Sequence, residues 1–172
     1  MALNRYRFEL ARSPEMLRGY FALRQQIFCQ EQGLFDGHDR DDLDDLAYAI
    51  VAIDDQAPAH QNIVGVVRIY EERARHWYGG RLGVHPDYRR GGRIGKGLIY
   101  KAVTTANGWG CDQFLATVQL QNVRFFQRLH WDSRQEIQLW GLPHHLMEAD
   151  LAHYPPSGEP RLVTPPSLSR VS

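Results

Sequence analysis

Cysteine is scarce in this sequence, since Cys29 and Cys111 are the only two among 172 residues. Two cysteines are too few for the disulfide framework of a small secreted domain, so we expect both to be buried, unreactive thiols. An excess of one charge is also lacking, because 20 basic and 20 acidic residues give a formal net charge of zero. Proteins that bind nucleic acid through bulk charge are usually basic overall, so the composition disfavours a nucleic-acid partner.

The sequence has no apolar run that approaches the roughly 20 residues needed to span a membrane. Charged residues interrupt positions 5–12, where a secretory signal peptide would need an apolar core. We therefore expect a cytoplasmic protein without a membrane partner. The length fits one domain, which we place at residues 4–154. The Pro- and Ser-rich residues 155–172 are predicted to form a flexible C-terminal tail.

Hydrophobic periodicity predicts a chain in which strands and helices are mixed. Strands are expected at 5–10, 47–53, 63–70, 77–84 and 114–118, followed by a hairpin of 131–140 and 144–151. Helices are expected from 13 to about 30–33, from 94 to 108 and from 122 to 129. This order predicts a mixed α/β (α+β) fold with helices covering a largely antiparallel sheet.

The stretch 81–97 has the composition of an anion-binding loop between a strand and a helix. Its strand ends before Pro86, and the loop that follows contains glycines and four basic residues: Arg89, Arg90, Arg93 and Lys96. The first N–H groups of a helix lack intrahelical partners and carry the positive end of the helix dipole, so an anion binds there favourably. Glycines let the backbone approach the anion, and arginine can bind phosphate oxygens bidentately. The alternative is a plain turn with solvated arginines, and neither the dinucleotide-binding fingerprint nor a Walker loop matches.

This stretch resembles motif A of the GNAT acyltransferases, which binds the pyrophosphate of acetyl-CoA with an Arg/Gln-x-x-Gly-x-Gly/Ala loop. Arg90 matches the first position of that motif and Gly95 the last. Arg93 stands where the family has a glycine, so Gly91 and Gly92 are expected to provide the turn instead. A register shifted to begin at Arg89 and use Gly92 is the alternative.

Three further segments are similar to the same family. Residues 122–131 resemble the later part of its Asn-x-x-Ala-x-x-Phe-Tyr-x-x-x-Gly-Phe segment. Residues 23–32 resemble the first helix of the ElaA-like acetyltransferases, and 141–147 resemble their Gly-Ile-Pro-His hairpin. The resemblance covers about residues 6–152 and points to a small bacterial branch that is often encoded near nitrilase genes.

The resemblance implies a GNAT fold, in which strands 77–84 and 114–118 splay apart and helices cover both faces of the sheet. It also implies an N-acyltransferase that uses acetyl-CoA or another acyl-CoA, needs no metal, and lets the amine of a small molecule attack directly in a ternary complex. The residues expected to bind CoA are Leu82, Gly83, Val84, Arg89, Arg90, Gly91, Gly92, Arg93, Ile94, Gly95, Lys96, Asn122 and Phe125. Asn122 has a second interpretation, as the N-cap of the following helix.

The tyrosine that many GNAT enzymes use as an acid is replaced by Phe126, so water is expected to protonate the thiolate. Glu31 and then His85 are the first candidates for the general base, ahead of Asp36 and His38. Their alternatives are a solvated acid at a helix end for Glu31 and a structural role for His85. The acceptor pocket is expected to include Phe28, Glu31, Asp36, Gln119, His144 and His145. The alternative for His144 and His145 is to cap the hairpin.

The segment 36–45 is strongly acidic and has two interpretations: a solvated loop or short helix, or an acidic wall that attracts a cationic amine.

The sequence also leaves two other functions open. The first is an acyl-homoserine-lactone-synthase-like enzyme, and the second is a non-catalytic acyl-CoA sensor or partner-binding module. The sequence leaves open whether the chain forms a homodimer.

Overall fold

The computed structural model describes residues 4–162. Three helices are present in this part of the chain: α1 (Pro14–Arg24), α2 (Arg93–Gly108) and α3 (Val123–Arg128). Seven strands are present as well: β1 (Tyr6–Leu10), β2 (Tyr48–Asp54), β3 (Ile63–Arg73), β4 (His76–Val84), β5 (Gln113–Gln119), β6 (Trp131–Leu139) and β7 (Leu142–Ala149). A π-helical turn, Gln25–Glu31, continues α1. The predicted helices and strands are confirmed, with ends that differ by at most a few residues.

The strands form one sheet in the order β1-β2-β3-β4-β5-β7-β6. Every neighbouring pair is antiparallel except β4 and β5, which are parallel. The β4–β5 pairing runs only from His76–Gln113 to Gly79–Ala116. Beyond Gly79 the two strands separate, so the sheet opens into a gap between the ends of β4 and β5. The predicted mixed sheet with splayed strands is confirmed.

A β-bulge in β4 marks the point where the sheet opens. Val66 pairs with Gly83 and Arg68 pairs with Gly80, so β4 has one residue more than β3 between these pairs. Arg81, one of the two β4 residues between these pairs, has a φ of 49°, which is uncommon for a residue with a side chain. Bulges bend a strand and increase its twist, and this one turns the end of β4 away from β5.

Helices cover both faces of the sheet and create two apolar cores. On one face, α1 and the π-helical turn pack Leu17, Tyr20 and Ile27 against β2 and β3. On the other face, α2 packs against β1, β2, β3 and β4 and α3 packs against β6, with Leu98 and Trp77 almost fully buried. All seven residues of β2 are buried because the strand is covered on both sides. This explains the continuous apolar run in its sequence.

Residues 155–162, which the sequence assigns to the tail, pack against the domain. The Ser157 N–H donates to the Thr104 carbonyl (3.0 Å), and the Trp109 Nε1–H donates to the Glu159 carbonyl (2.7 Å). The Arg161 guanidinium lies 5.0 Å from the centre of the Trp77 ring. These contacts use backbone groups and a cation–π pair, which leave no periodic signal in the sequence. The rest of the predicted tail lies outside the described residues.

The expectation that both cysteines are buried is confirmed for only one of them. Cys111 is buried, and burial raises the pKa of its thiol to about 12, as expected for an unreactive thiol. Cys29 is also a free thiol but is partly exposed.

Among the helices of residues 4–162, none has the length and apolar character needed to cross a membrane.

Candidate active site

A cavity of about 340 Å³ occupies the gap between β4 and β5 and reaches both faces of the sheet. On the side of α2 and α3 its walls include Ile99, Ala102, Val103, Asn122 and Phe126. On the side of α1 its walls include Phe28, Gln32, Phe35, Arg68, Arg81, Gln119, Trp140 and His144. A molecule that entered from the α2 side could therefore meet a second molecule on the α1 side within one continuous space.

The predicted anion-binding loop turns at its two adjacent glycines. Gly91 and Gly92 have φ values of 81° and 69°, in the left-handed region that favours glycine. A Cβ added to Gly92 would lie 2.8 Å from the Phe125 ring, so this position has no room for a side chain. Helix α2 begins at Arg93, directly after this turn. The expectation that Gly91 and Gly92 provide the turn is thus confirmed.

Tyr88 holds the front of this loop to the domain. Its hydroxyl donates to Asp54 (2.6 Å), and the same carboxylate accepts two bonds of 2.9 Å from Arg5. The Arg5 hydrogen bonds, assisted by Tyr88, hold the pKa of Asp54 well below its usual range. Strands β1 and β2 thereby fix the start of the loop.

The basic residues of the loop fall into two groups. Arg90, Arg93 and Lys96 are exposed, and the described part of the chain offers no carboxylate in ion-pair contact with any of them. Arg89 instead donates through Nε to the Val84 carbonyl (2.8 Å) and binds Glu31 bidentately (2.5 and 2.6 Å). Arg89 is therefore occupied within the protein, which disfavours the register that begins at Arg89.

The same ion pair changes the interpretation of Glu31. Hydrogen bonds from Arg89 hold the pKa of Glu31 below its usual range, so the carboxylate is a weak proton acceptor. His85, the second candidate base, accepts a hydrogen bond at Nδ1 from the Asp87 N–H (3.2 Å) and packs against Tyr88. It is not among the residues that line the cavity. The structure thus favours a structural role for both residues.

Val84 places a backbone amide at the gap. The His85 N–H donates to the Val64 carbonyl of β3 (2.8 Å), so the polar groups of His85 face β3. Neighbouring residues of a strand direct their N–H and C=O groups to opposite sides, so those of Val84 face away from β3, towards the gap. The bond from Arg89 to the Val84 carbonyl agrees with this direction.

A closed ring of alternating charges, the Asp–Arg ring, borders the cavity and consists of Arg24, Asp39, Arg81, Asp41, Arg68 and Asp44. Each arginine binds the two aspartates next to it in this order, with N–O distances of 2.6–3.3 Å. Burial alone would raise the pKa of Asp44, but the hydrogen bond and charge of Arg24 outweigh it and hold this pKa below its usual range. The ring joins α1, the acidic segment, β3 and the bulge of β4.

The Asp–Arg ring corrects the interpretation of the segment 36–45 as an acidic wall. Three of its carboxylates are each shared by two arginines, so they contribute no net negative charge to the pocket. The segment is also not simply solvated, because Asp39 is buried with a side chain that is 1 % exposed. Asp36 and His38 are exposed and do not line the cavity.

His144 is the histidine that lines the cavity, and it is buried there. Its Nδ1 lies 3.0 Å from the Leu142 carbonyl, which can only accept, so Nδ1 carries a proton. In the neutral ring Nε2 then has a free lone pair. His145 pairs with Val118 on the face covered by α2, and its Nδ1 contacts the Ser133 hydroxyl (2.6 Å). The expected pocket therefore includes His144 but not His145.

The remaining predicted residues lie at the cavity or the loop. Asn122 occupies the N-cap position of α3 without a side-chain capping bond, which leaves its amide free at the cavity. Gln119 donates to the Gln32 side chain (3.3 Å) across the α1 side of the gap. Phe126 is buried and packs on Trp131, so no hydroxyl is supplied at this position.

The cavity residues absent from the expected pocket include Phe35, Arg68, Arg81 and Trp140. A signal existed for Arg68, because a charged residue inside an otherwise apolar strand requires a partner or a ligand. Arg81 packs on Phe35, with 4.4 Å between the guanidinium and the ring centre, and Phe35 in turn contacts Trp140. These contacts depend on the bulge and on the β6–β7 turn, which the sequence alone does not place.

A second concavity, of about 1160 Å³, is larger but lies away from the gap, between α1, the β2–β3 turn and residues 85–88. Within residues 4–162, no three His, Cys, Asp or Glu side chains are grouped so that they could hold a metal ion. The smaller cavity combines a gap in the sheet, a loop with free basic residues and a buried histidine. We therefore take it as the candidate active site.

Comparisons with known proteins agree with this geometry. The model of the acetyltransferase (GNAT) family matches residues 15–131. A Lactobacillus plantarum protein assigned as an N-acetyltransferase superposes with a TM-score of 0.73 at 21% identity, covering 85% of this chain and 98% of that one. ElaA of Escherichia coli gives 0.68 at 20% identity, with 84% and 98% covered. The NatC complex bound to a Gag peptide and CoA gives 0.64 at 13% identity, with 85% and 98% covered. No curated protein matches the chain.

Proposed function

The chain belongs to the GNAT family of acetyltransferases, and on this basis we propose that it transfers an acetyl group from acetyl-CoA to the amine of a small molecule. The observation that carries the proposal is the gap between β4 and β5, with a glycine turn and a helix N-terminus beside it. The gap offers the thioester of acetyl-CoA an extended site between two strands, and the loop offers the pyrophosphate of CoA an anion-binding site.

The two free cysteines fit a reducing compartment, which supports a cytoplasmic location.

In the proposed complex the pyrophosphate lies against the backbone N–H groups of residues 91–95. Arg90, Arg93 and Lys96 add positive charge there, while Arg89 holds the loop through Glu31. The pantetheine arm enters the gap, where the backbone groups of Leu82 bind its amides. The Val84 carbonyl is already bound by Arg89, which leaves the Val84 N–H for the thioester. Asn122 contacts the arm from the opposite side of the cavity.

The proposed chemical step uses groups at the gap between β4 and β5. The neutral amine attacks the thioester carbonyl, and the Val84 N–H stabilises the negative charge that develops on its oxygen. His144 Nε2 accepts the proton that the amine loses, which replaces Glu31 and His85 as our candidate base. The C–S bond then breaks and CoA leaves as a thiolate. Water protonates this thiolate, since Phe126 has no hydroxyl and a thiol with a pKa of about 8.5 leaves readily.

Product analysis tests the proposal directly. We expect incubation with acetyl-CoA and a broad amine panel to give an N-acetylated amine and one free CoA per product, detected by mass spectrometry. Tight CoA binding without any acylated product would instead identify a non-catalytic acyl-CoA-binding module.

Replacing Arg90 with Glu should weaken CoA binding by about 1–3 kcal/mol, or roughly 5–150-fold in Kd, because a charged hydrogen bond is lost and repulsion is added. Isothermal titration calorimetry with CoA measures the change. Arg73→Glu is the matched control, because it makes the same charge change near the other end of β4. Equal CoA affinity in the wild type and Arg90→Glu would refute the placement of pyrophosphate at the loop.

A further inference from the structure

We propose that the acceptor amine also carries a carboxylate, and that this group binds the Nε–H of Arg68 in the cavity. The inference rests on the proposed function and names the class of its acceptor: an amino acid or a similarly small amino-carboxylate. Three observations carry it, namely an unpaired donor, the space beside that donor and the aromatic walls.

The unpaired donor belongs to Arg68 on β3. Its side chain is 4 % exposed, and its Nη1 and Nη2 bind Asp41 and Asp44. Its Nε is buried and has no hydrogen-bond partner among the described residues. A buried donor without a partner costs free energy, and such a group in a cavity wall is therefore expected to find an acceptor on a ligand.

Space for that acceptor exists because residue 80 is a glycine. Gly80 is the cross-strand partner of Arg68, and both residues line the cavity. A Cβ added to Gly80 would lie 3.7 Å from Arg68 Nε, which is ordinary contact distance. The missing side chain leaves this volume open beside the donor, on the α1 side of the gap.

The charges next to the donor belong to the Asp–Arg ring, which is neutral as a whole. Arg68 and Arg81 both line the cavity, where Asp41 is the carboxylate that they share. Burial, together with the charges of Arg68 and Arg24, lowers the pKa of Arg81. A carboxylate therefore gains here from direct contact with the Nε–H of Arg68 and not from a net positive charge.

The walls of the α1 side are aromatic and suit the carbon skeleton of a small acceptor. Tyr70 and Tyr78 stack with ring centres 5.8 Å apart, and Phe35 and Trp140 contact each other at 5.2 Å. Apolar walls also lower the local dielectric, which strengthens the contact between an arginine and a carboxylate. Since the cavity of about 340 Å³ must also hold the acyl end of the donor, the acceptor has to be small.

The test compares amino acids with their carboxamides, which keep the amine and lose the charge. In acetyl transfer we expect kcat/KM for the preferred amino acid to exceed that of its carboxamide by at least about tenfold. This is the usual effect of losing one hydrogen bond between charged groups. Gly80→Ala, which fills the space beside Nε, should reduce this ratio several-fold while KM for acetyl-CoA stays unchanged. Equal use of acids and amides by the wild type, or a ratio unaffected by Gly80→Ala, would overturn the carboxylate site and leave the proposed function intact.

Calorimetric binding of the same amino acids and carboxamides to the CoA-saturated protein gives a readout that needs no turnover. Preferential binding of the acids that is weakened by Gly80→Ala, without acetyl transfer, would support the carboxylate site and contradict the proposed function. Equal or undetectable binding of acids and amides would overturn the carboxylate site whether or not transfer occurs.

Discussion

Replacing Asp39 with Asn should lower the free energy of unfolding by about 3–5 kcal/mol, which is the usual loss when one member of a buried ion pair is removed. Asp39 accepts from Arg24, which is fully buried, and from Arg81, whose side chain is 9 % exposed, so the variant leaves two charged groups without a full partner. For a chain of this size the loss corresponds to a decrease of about 6–20 °C in Tm. Urea denaturation followed by circular dichroism measures the change in unfolding free energy.

Asp45→Asn is the control for this experiment. Asp45 is exposed in the same acidic segment, and the described residues give it no ion pair, so we expect a change within about 0.5 kcal/mol. Similar losses for both variants would mean that the acidic segment acts through its overall charge. A loss confined to Asp39→Asn would establish the Asp–Arg ring as the element that ties the acceptor side of the site to the fold.

The second large effect is expected at His144. His144→Gln should lower kcat by about 10²- to 10⁴-fold, the typical contribution of a general base, because glutamine cannot accept the proton of the amine. KM for acetyl-CoA should stay unchanged, since the predicted CoA-binding residues lie on β4, in the loop that follows it, on α2 and at the start of α3.

His145→Gln is a closely matched control, because the adjacent residue has the same side chain but contacts Ser133 on the other face of the sheet. We expect it to retain activity close to the wild type. An equal loss in both variants would indicate a structural effect on the hairpin. Full activity of His144→Gln at every pH would show that the amine loses its proton without this histidine.

The order of elements and the position of the loop could be predicted from local patterns. Apolar periodicity marked the helices and strands, and the adjacent Gly91 and Gly92 marked a turn that no other residue adopts easily. The splay of β4 and β5 followed from resemblance to a family. Its physical cause, the bulge at Arg81, is a matter of register between strands and has no signature in the sequence of β4 alone.

The chemistry of the site was less predictable because the side chains that interact there are far apart in the sequence. Glu31 has the sequence context of an ordinary helix-end acid, but it is paired with Arg89, which lies 58 residues away. Which ring nitrogen of the neutral His144 carries the proton depends on where the β6–β7 turn places the Leu142 carbonyl. The Asp–Arg ring combines residues from four elements, so their mutual neutralisation could not be inferred from the acidic segment itself.

The most direct test of the account is a crystal structure of the protein with CoA bound. We predict that the pyrophosphate contacts the N–H groups of residues 91–95 and that the sulfur lies in the gap, between Val84 and Asn122. Density for CoA in the larger concavity beside α1, or a pyrophosphate away from Gly91 and Gly92, would contradict the assignment of the β4–β5 gap as the active site.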